Sequence, residues 1–391
     1  MFLELHIIQN FAPSNLNRDD TGSPKNCEFG GTKRGRISSQ AIKRAIRASF
    51  KDGLLSETNL SLRSLRIHKE VVDGLVSQGK PLEESSHIVS SVFKDLGLEL
   101  DQRNAVKDQN LTTAMIFIGN DDISNFTEVC SNHWDNLLDA YPMTTSNTKK
   151  ASGQQQGSKN NLEELSEALF NGGRAVDLGL FGRMLAARPE LNREAASQVA
   201  HAISTNEIGD EFDYFTAVDD LNPKESSGAA HLGVIEFNSG CFYRYSNVDI
   251  GLLTNNLNGD TDLVQTAIKA FVLASIKSIP TGKQNTFAAQ NPPSLVFSVI
   301  RNSGFWALHN AFIKPVTPNK DNIVSASIQE LNEYWKSVVD MYGPADIESQ
   351  WVSTTAPDED VESLRADNKK VSIQELVENT VDSIKTSLLG V

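Results

Sequence analysis

Cysteine is scarce in this chain. Among 391 residues there are three, Cys27, Cys130 and Cys241, each more than a hundred residues from the next. That excludes a disulfide framework and a zinc spacing, and the thiols read as buried or idle. Long apolar runs are missing too. No segment approaches the ~18 residues that mark a membrane-spanning helix. The opening MFLELHIIQNF has no basic leader and carries Glu4 and His6, so it does not read as a signal peptide. The cytoplasm is the expected compartment, and no membrane partner is expected. Positive charge is also in short supply, with 36 Lys+Arg against 50 Asp+Glu and a formal charge of −14. Such acidity argues against a protein that coats nucleic acid non-specifically. GGTKRG and TGKQNT lack the spacing of a nucleotide loop, and Gln284 stands where a Ser or Thr would hold magnesium. The seven histidines are scattered, with no H-E-x-x-H. No cofactor or metal is expected.

What is present is one basic segment, GGTKRGRISSQAIKRAIR, Gly30 to Arg47. It holds Lys33, Arg34, Arg36, Lys43, Arg44 and Arg47 and no acidic residue. Residues 1–50 carry eight Lys+Arg and four Asp+Glu, so the rest of the chain is more acidic still. Ser38-Ser39 is an N-cap signal and predicts a helix from about Ser39 to Lys51. On a helical wheel Ile42, Ala45, Ile46 and Phe50 share one face. Gln40, Lys43, Arg44, Arg47 and Lys51 share the other. No Glu or Asp stands at i±4 to neutralise that face. Free N–H groups at Ser38, Ser39 and Gln40 and the macrodipole add an anion site. Arg34 and Arg36 lie just before it on an extended segment, and Gly30, Gly31 and Gly35 allow close backbone approach. Cations at successive turns suit a repeating polyanion. A solvated basic face is the plainer account.

Elsewhere Phe2–Gln9 alternates like a half-buried strand. Residues 55–142 read mostly helical, and NREAASQVAHAIST reads as a further helix. HLGVIEF and CFYRYSNV read as two strands joined by a hairpin at Asn238-Ser239-Gly240. Thr144–Asn161 is low-complexity and polar, so a mobile loop is expected there. Ser372 and Glu375 form a capping box before the last helix. The pattern is α+β. Asp19-Asp20 and Asp219-Asp220 are paired carboxylates able to hold a metal, which keeps open a metal-dependent ribonuclease. For Asp19-Asp20 the plainer account is loop capping.

Several motifs, in order, resemble those of one family. LNRDD (Leu16–Asp20), FGG (Phe29–Gly31) and RISSQAIKRAIR (Arg36–Arg47) open the series. LGLFGRM (Leu178–Met184), VAHAIST (Val199–Thr205), DYFTAVDDL (Asp213–Leu221), AAHLGVIEFNSGCFYRYSNV (Ala229–Val248) and PTGKQNTFAAQNP (Pro280–Pro292) continue it. They are similar to the CasC family, the crRNA-binding backbone subunit of the type I-E CRISPR Cascade complex. The resemblance implies an RRM-like (ferredoxin-like) palm over residues 1–54 and 171–391, with 205–230 as a protruding thumb. It implies a helical finger-like insertion at 55–170 that contains the loop at 144–161. It further implies a non-catalytic scaffold, copies of which form a helical filament along crRNA beside other Cascade subunits. The thumbs would kink the RNA at regular intervals, and the bases between would pair with target DNA. Arg18, Arg34, Arg36, Lys43, Arg44 and Arg47 would hold phosphates, with Ser38, Ser39 and Gln40 as neutral donors. Lys283 and Asn285 would reach the backbone, and Arg183 would belong to the RNA-binding set. Met184 and Phe215 match positions that wedge against bases, with Tyr214 the alternative ring.

Overall fold

The alternation of Leu3, Leu5 and Ile7 with Glu4 and His6 does form a strand, yet both of its faces are buried. The structure, a computed structural model, describes residues 1–101, 110–143, 155–171, 173–185, 189–217, 231–317, 322–365 and 369–389. The strands are β1 (Phe2–Ser14), β2 (Asn26–Phe29), β3 (Thr32–Ile37), β4 (Ser61–Ser64) and β5 (Ile116–Gly119). There follow β6 (Ser197–Val199), β7 (Ala202–Ser204), β8 (Glu211–Ala217), β9 (His231–Asp249), β10 (Leu295–Arg301) and β11 (Ile347–Thr354). The main sheet is antiparallel, in the order β11-β10-β1-β9-β7-β3-β2, with β6 and β8 also paired to β9.

The helices are α1 (Ser39–Ser49), α2 (Ile67–Ser77), α3 (Leu82–Asp95), α4 (Asn120–Asn132), α5 (Trp134–Ala140) and α6 (Gln155–Phe170). Then come α7 (Val176–Phe181), α8 (Ile250–Asn256), α9 (Thr261–Lys277), α10 (Gln284–Phe287), α11 (Ile323–Tyr342) and α12 (Ile373–Leu389). The chain divides into two units. The first is Met1–Leu54, Ser197–Gly251 and Gln265–Val391; the second is Leu55–Ala196 and Leu252–Val264.

In the first unit α11 covers one sheet face, where Ile8, Tyr243, Phe297, Leu331 and Trp335 share a core. The opposite face meets α9 and α12, because Arg244 donates to Ser275 O at 2.7 Å and Ser298 bonds Thr380 at 3.0 Å. One polar atom of each of the buried residues Glu4 and His6 is hydrogen-bonded inside the sheet. Glu4 Oε1 accepts from Tyr245 O–H and Trp306 N–H, both at 2.6 Å. His6 Nδ1 shares a 2.8 Å bond with the Tyr243 hydroxyl. The capping box forms, with Ser372 N–H on Glu375 at 2.9 Å and Glu375 N–H on Ser372 at 3.2 Å.

The second unit is mainly helical. Val71, Leu75, Ile88, Val92, Phe93, Phe126, Leu165 and Leu169 make its core. Its first residue, Leu55, is where the finger-like insertion is expected to open. Residues 171–196 were expected with the palm but pack in this unit, because the Arg183 guanidinium bonds Phe170 O and Leu191 O.

Three further expectations change. The hairpin at Asn238-Ser239-Gly240 is absent, and β9 runs unbroken for 19 residues. Gly240 pairs with Phe11, Asn238 with Ser14 across a bulge, and Ser239 donates to Phe11 O at 2.9 Å. Bonds to β1 outcompete the local turn. The helix read at NREAASQVAHAIST is instead β6 and β7, drawn into pairing with β9 and β3. Of the expected mobile loop, residues 144–154 lie outside the described residues, and 155–161 belong to α6.

Gly30 and Gly31 make the two-residue turn between β2 and β3 with φ of 62° and 75°. A Cβ on Gly30 would sit 1.8 Å from Ile313 O, whereas one on Gly31 meets open space. Gly30→Ala should therefore lower stability by several-fold more than Gly31→Ala, whose cost is the left-handed penalty of roughly 1–2 kcal/mol; urea unfolding of both variants checks this. Burial pushes the His6 imidazole down to about 3, from an ordinary 6.5. The stability tied to neutral His6 is complete above pH 6.5 and is lost as pH falls toward 3. The stability gap between wild type and His6→Phe should accordingly narrow on acidification through that window, as measured by denaturant midpoints at successive pH values.

Candidate nucleic-acid interface

The amphipathic pattern of the basic segment places α1 as expected. Ile42 and Ile46 are buried, Lys43 and Arg47 are half-buried, and Gln40 and Arg44 are exposed. Burial lowers the Lys43 pKa. Ser38 is the N-cap, its Oγ accepting from Ala41 N–H at 3.3 Å. Ser38 N–H donates to Asn17 Oδ1 at 2.8 Å, and Ser39 N–H donates to His201 Nδ1 at 2.9 Å. Much of the helix start is thus used internally, which leaves less of it for an anion than the sequence promises.

The cations meet in a groove. The Leu16–Gly22 loop, one side of α1 and Pro280–Lys283 surround a cavity of about 650 Å³, lined by Arg18, Arg44 and Lys283 together with Asp19 and Asp20. The close approach of the two loops requires Gly282, where a Cβ would lie 2.3 Å from Leu16 O. Lys283 itself takes a left-handed φ of 51° to open α10, in which Asn285 is exposed. A second cavity of about 590 Å³ is lined by Arg18, Lys25, Asn26 and Arg36, again with Asp19 and Asp20. Arg18 lines both. Lys25 is a cation that sequence reasoning missed. It sits in a polar loop, and it reaches Arg36 because Arg36 N–H donates to Lys25 O at 2.9 Å.

Asp19 is engaged by its own loop. Its Oδ1 accepts Thr21 O–H at 2.7 Å, Thr21 N–H at 2.9 Å and Ser23 N–H at 3.0 Å. The Thr21 hydroxyl first, then these N–H groups, hold its carboxyl below the usual range. That is the loop-capping account. Among the described residues no cluster of three or more His, Cys, Asp or Glu could hold a metal. Asp219 and Asp220 lie outside the described residues.

Two predicted RNA-binding residues are corrected. Arg34 is wholly buried. Its Nε donates to Thr32 Oγ1 at 2.8 Å, and Nη1 donates to Ser204 O at 2.9 Å and Thr205 O at 2.8 Å. Nη2 donates to Phe312 O at 2.9 Å and Ile313 O at 3.3 Å. All five N–H donors of the guanidinium are spent inside the protein. Arg183 is buried in the second unit, over the Phe170 ring at 5.2 Å, and burial pushes its pKa down to about 10. Neither guanidinium is available to RNA. The glycines of the segment likewise serve internal packing, Gly30 against Ile313 and Gly35 beneath the Phe242 ring.

Met184, next to Arg183, is 83% exposed, which removes core packing as its role. The expected thumb contains a two-stranded ribbon, β8 against His231–Phe237 of β9; residues 218–230 lie outside the described residues. Phe212 and Tyr214 alternate onto one face, 61% and 70% exposed, opposite Glu236 and Val234. Phe215 points to the other face, where its ring lies across Gly233, so part of its surface is used within the ribbon.

Comparison with known proteins bears on this geometry. The family model described as CT1975-like protein matches residues 3–379. One solved chain titled "CRISPR RNA-guided surveillance complex, pre-nicking" is 28% identical with a TM-score of 0.81, covering 97% of this chain and 100% of that one. A second, from a "CRISPR RNA-guided surveillance complex", is 25% identical with a TM-score of 0.74, covering 98% and 100%. Comparison with curated proteins gives no match. The model match spans nearly the whole chain, and the motif order agrees with it: the protein belongs to the CT1975-like family of CasC-type CRISPR backbone subunits.

Proposed function

We propose that this protein is a non-catalytic guide-RNA-binding backbone subunit of a type I-E CRISPR surveillance complex in the cytoplasm. The observation that carries the reading is the groove in which Arg18, Arg44 and Lys283 converge, in a chain that matches subunits of RNA-guided complexes along almost its full length. The strand order β10-β1-β9-β7, with α1 and α9 between successive strands, supports an RRM-like (ferredoxin-like) palm. In this reading Arg18, Arg36, Arg44 and Lys283 hold phosphates, with Lys25 added to them. Lys43, Arg47 and Asn285 flank the track, and Gln40 is the remaining neutral donor at the helix start. Successive copies line up along one crRNA, joined by other Cascade subunits. Met184 and the ribbon aromatics part the bases at intervals, since an apolar wedge unstacks bases without reading them. The bases between pair with target DNA, so sequence is read by the guide and the protein reads backbone and shape.

A groove of this kind predicts assembly that depends on charge. Reversing Lys43, Arg44 and Arg47 to Glu should abolish binding to guide RNA while circular dichroism and unfolding midpoint stay near wild type; retained assembly at moderate salt would place the RNA elsewhere. Arg44→Ala alone should lower the slope of log affinity against log salt by about 0.7, the value for one single-strand phosphate contact. Met184→Ala and Tyr214→Ala should each weaken binding by about 1–3 kcal/mol per stacked base without affecting stability. Labelled RNA incubated with Mg²⁺ or Mn²⁺ tests the ribonuclease reading: site-specific cleavage abolished by Asp20→Ala would overturn the scaffold.

A further inference from the structure

The ribbon of β8 and β9 joins the sheet by two routes. On one side β9 continues without a break from ribbon into sheet. On the other the chain arrives through residues 204–210, a strap that runs from the end of β7 to the start of β8. Three consecutive residues of β3 grip this strap along its length. Gly35 N–H donates to Ser204 Oγ at 2.9 Å. Arg34 donates to the carbonyls of Ser204 and Thr205. Ile208 N–H donates to Lys33 O at 3.1 Å, and Lys33 Nζ pairs with Asp210, the last residue before β8. Ile208 is buried, and a Cβ on Gly35 or Gly240 would meet its side chain at 3.6 or 3.4 Å.

A two-stranded ribbon is at best marginally stable alone, so its direction must come from its root. The β9 side fixes one strand. The β8 side depends on the strap, and the strap depends on residues 33–35. We propose that Lys33 and Arg34 are positioning residues that set the direction in which the ribbon leaves the sheet before any nucleic acid arrives. The basic segment then divides by function. Lys33 and Arg34 are engaged with the strap, Arg34 from a buried position and Lys33 from a partly exposed one, while Arg36 and Arg44 line the cavities. Arg suits the inner position because its planar fork reaches five acceptors in fixed directions, whereas Lys carries three donors on one atom. The consequence for RNA rests on the ribbon acting as a thumb against the guide, but the positioning itself is a property of the free protein.

Hydrogen-exchange mass spectrometry on the full free chain tests it, comparing Lys33→Asp, Asp210→Lys, the double swap K33D/D210K, and Arg34→Lys. Each single charge change should speed exchange over residues 205–217 by about tenfold, as expected of local opening, and leave α11 and α12 unchanged. The double swap should bring the rate back toward wild type. Unchanged exchange in the single variants, or a swap as fast as either single, would overturn the proposal. Arg34→Lys should speed exchange at Ser204–Ile208; should it fail to fold, the partly exposed Lys33–Asp210 set still decides. A nuclease footprint of Lys33→Asp assembled on guide RNA separates the two readings. A loosened ribbon with a blurred protection interval supports both. A loosened ribbon with an unaltered interval keeps the positioning role and removes the ribbon from RNA kinking.

Discussion

The guanidinium of Arg34 ties together parts of the first unit that are far apart in sequence: the β2–β3 hairpin, the chain after β7, and the Phe312–Ile313 carbonyls. A buried charge is costly unless its hydrogen-bonding capacity is met. Here four backbone carbonyls and one hydroxyl meet it, and burial lowers the pKa of the guanidinium as expected. Each acceptor comes from a backbone that must already be in place. The Gly30–Gly31 turn brings the hairpin against Ile313, and β7 presents Ser204. Removing any of these would strand the charge.

That internal use of positive charge sharpens how an acidic chain offers one basic groove. Of the cations near the N-terminus, Arg34 is spent on the fold and Lys33 on Asp210. Arg18, Lys25, Arg36 and Arg44 line two adjoining cavities with Lys283. Asp19 and Asp20 line the same cavities, so the site is mixed in charge. Asp19 shapes the loop that presents Arg18, accepting three hydrogen bonds from Thr21 and Ser23. Attraction for a polyanion is thus local, and it is screened within about 10 Å at ordinary salt.

Much of this was legible in local pattern. The wheel over Ser39–Phe50 identified Ile42 and Ile46 as core and Arg44 as outward, because a helix separates its faces by periodicity alone. Ser372 and Glu375 marked the start of α12, because capping is a contest among neighbouring residues. Local pattern is overridden where distant partners supply the bonds. Asn238-Ser239-Gly240 carries turn chemistry, but β1 supplies a ladder that keeps it extended. Residues 197–204 have a helical composition and become two short strands because β9 and β3 have unpaired edges beside them. β11 gave no local signal and forms by pairing with β10.

Local pattern carries the amphipathic basic helix, the family motifs and their order, and the excess of acid outside one segment. These depend on residue type and spacing along the chain. Which cations reach solvent depends on packing between distant segments. Arg34 and Arg36 are two apart on one strand and should share a face, yet Arg34 is sealed by carbonyls from residues 204–313 and Arg36 lines a cavity. Arg183 and Met184 are adjacent, and the charged residue is the buried one while the apolar residue is exposed. Burial is set by what packs above a side chain: for Arg34 that comes from segments more than a hundred residues away, and for Arg183 from Phe170 and Leu191 on flanking elements.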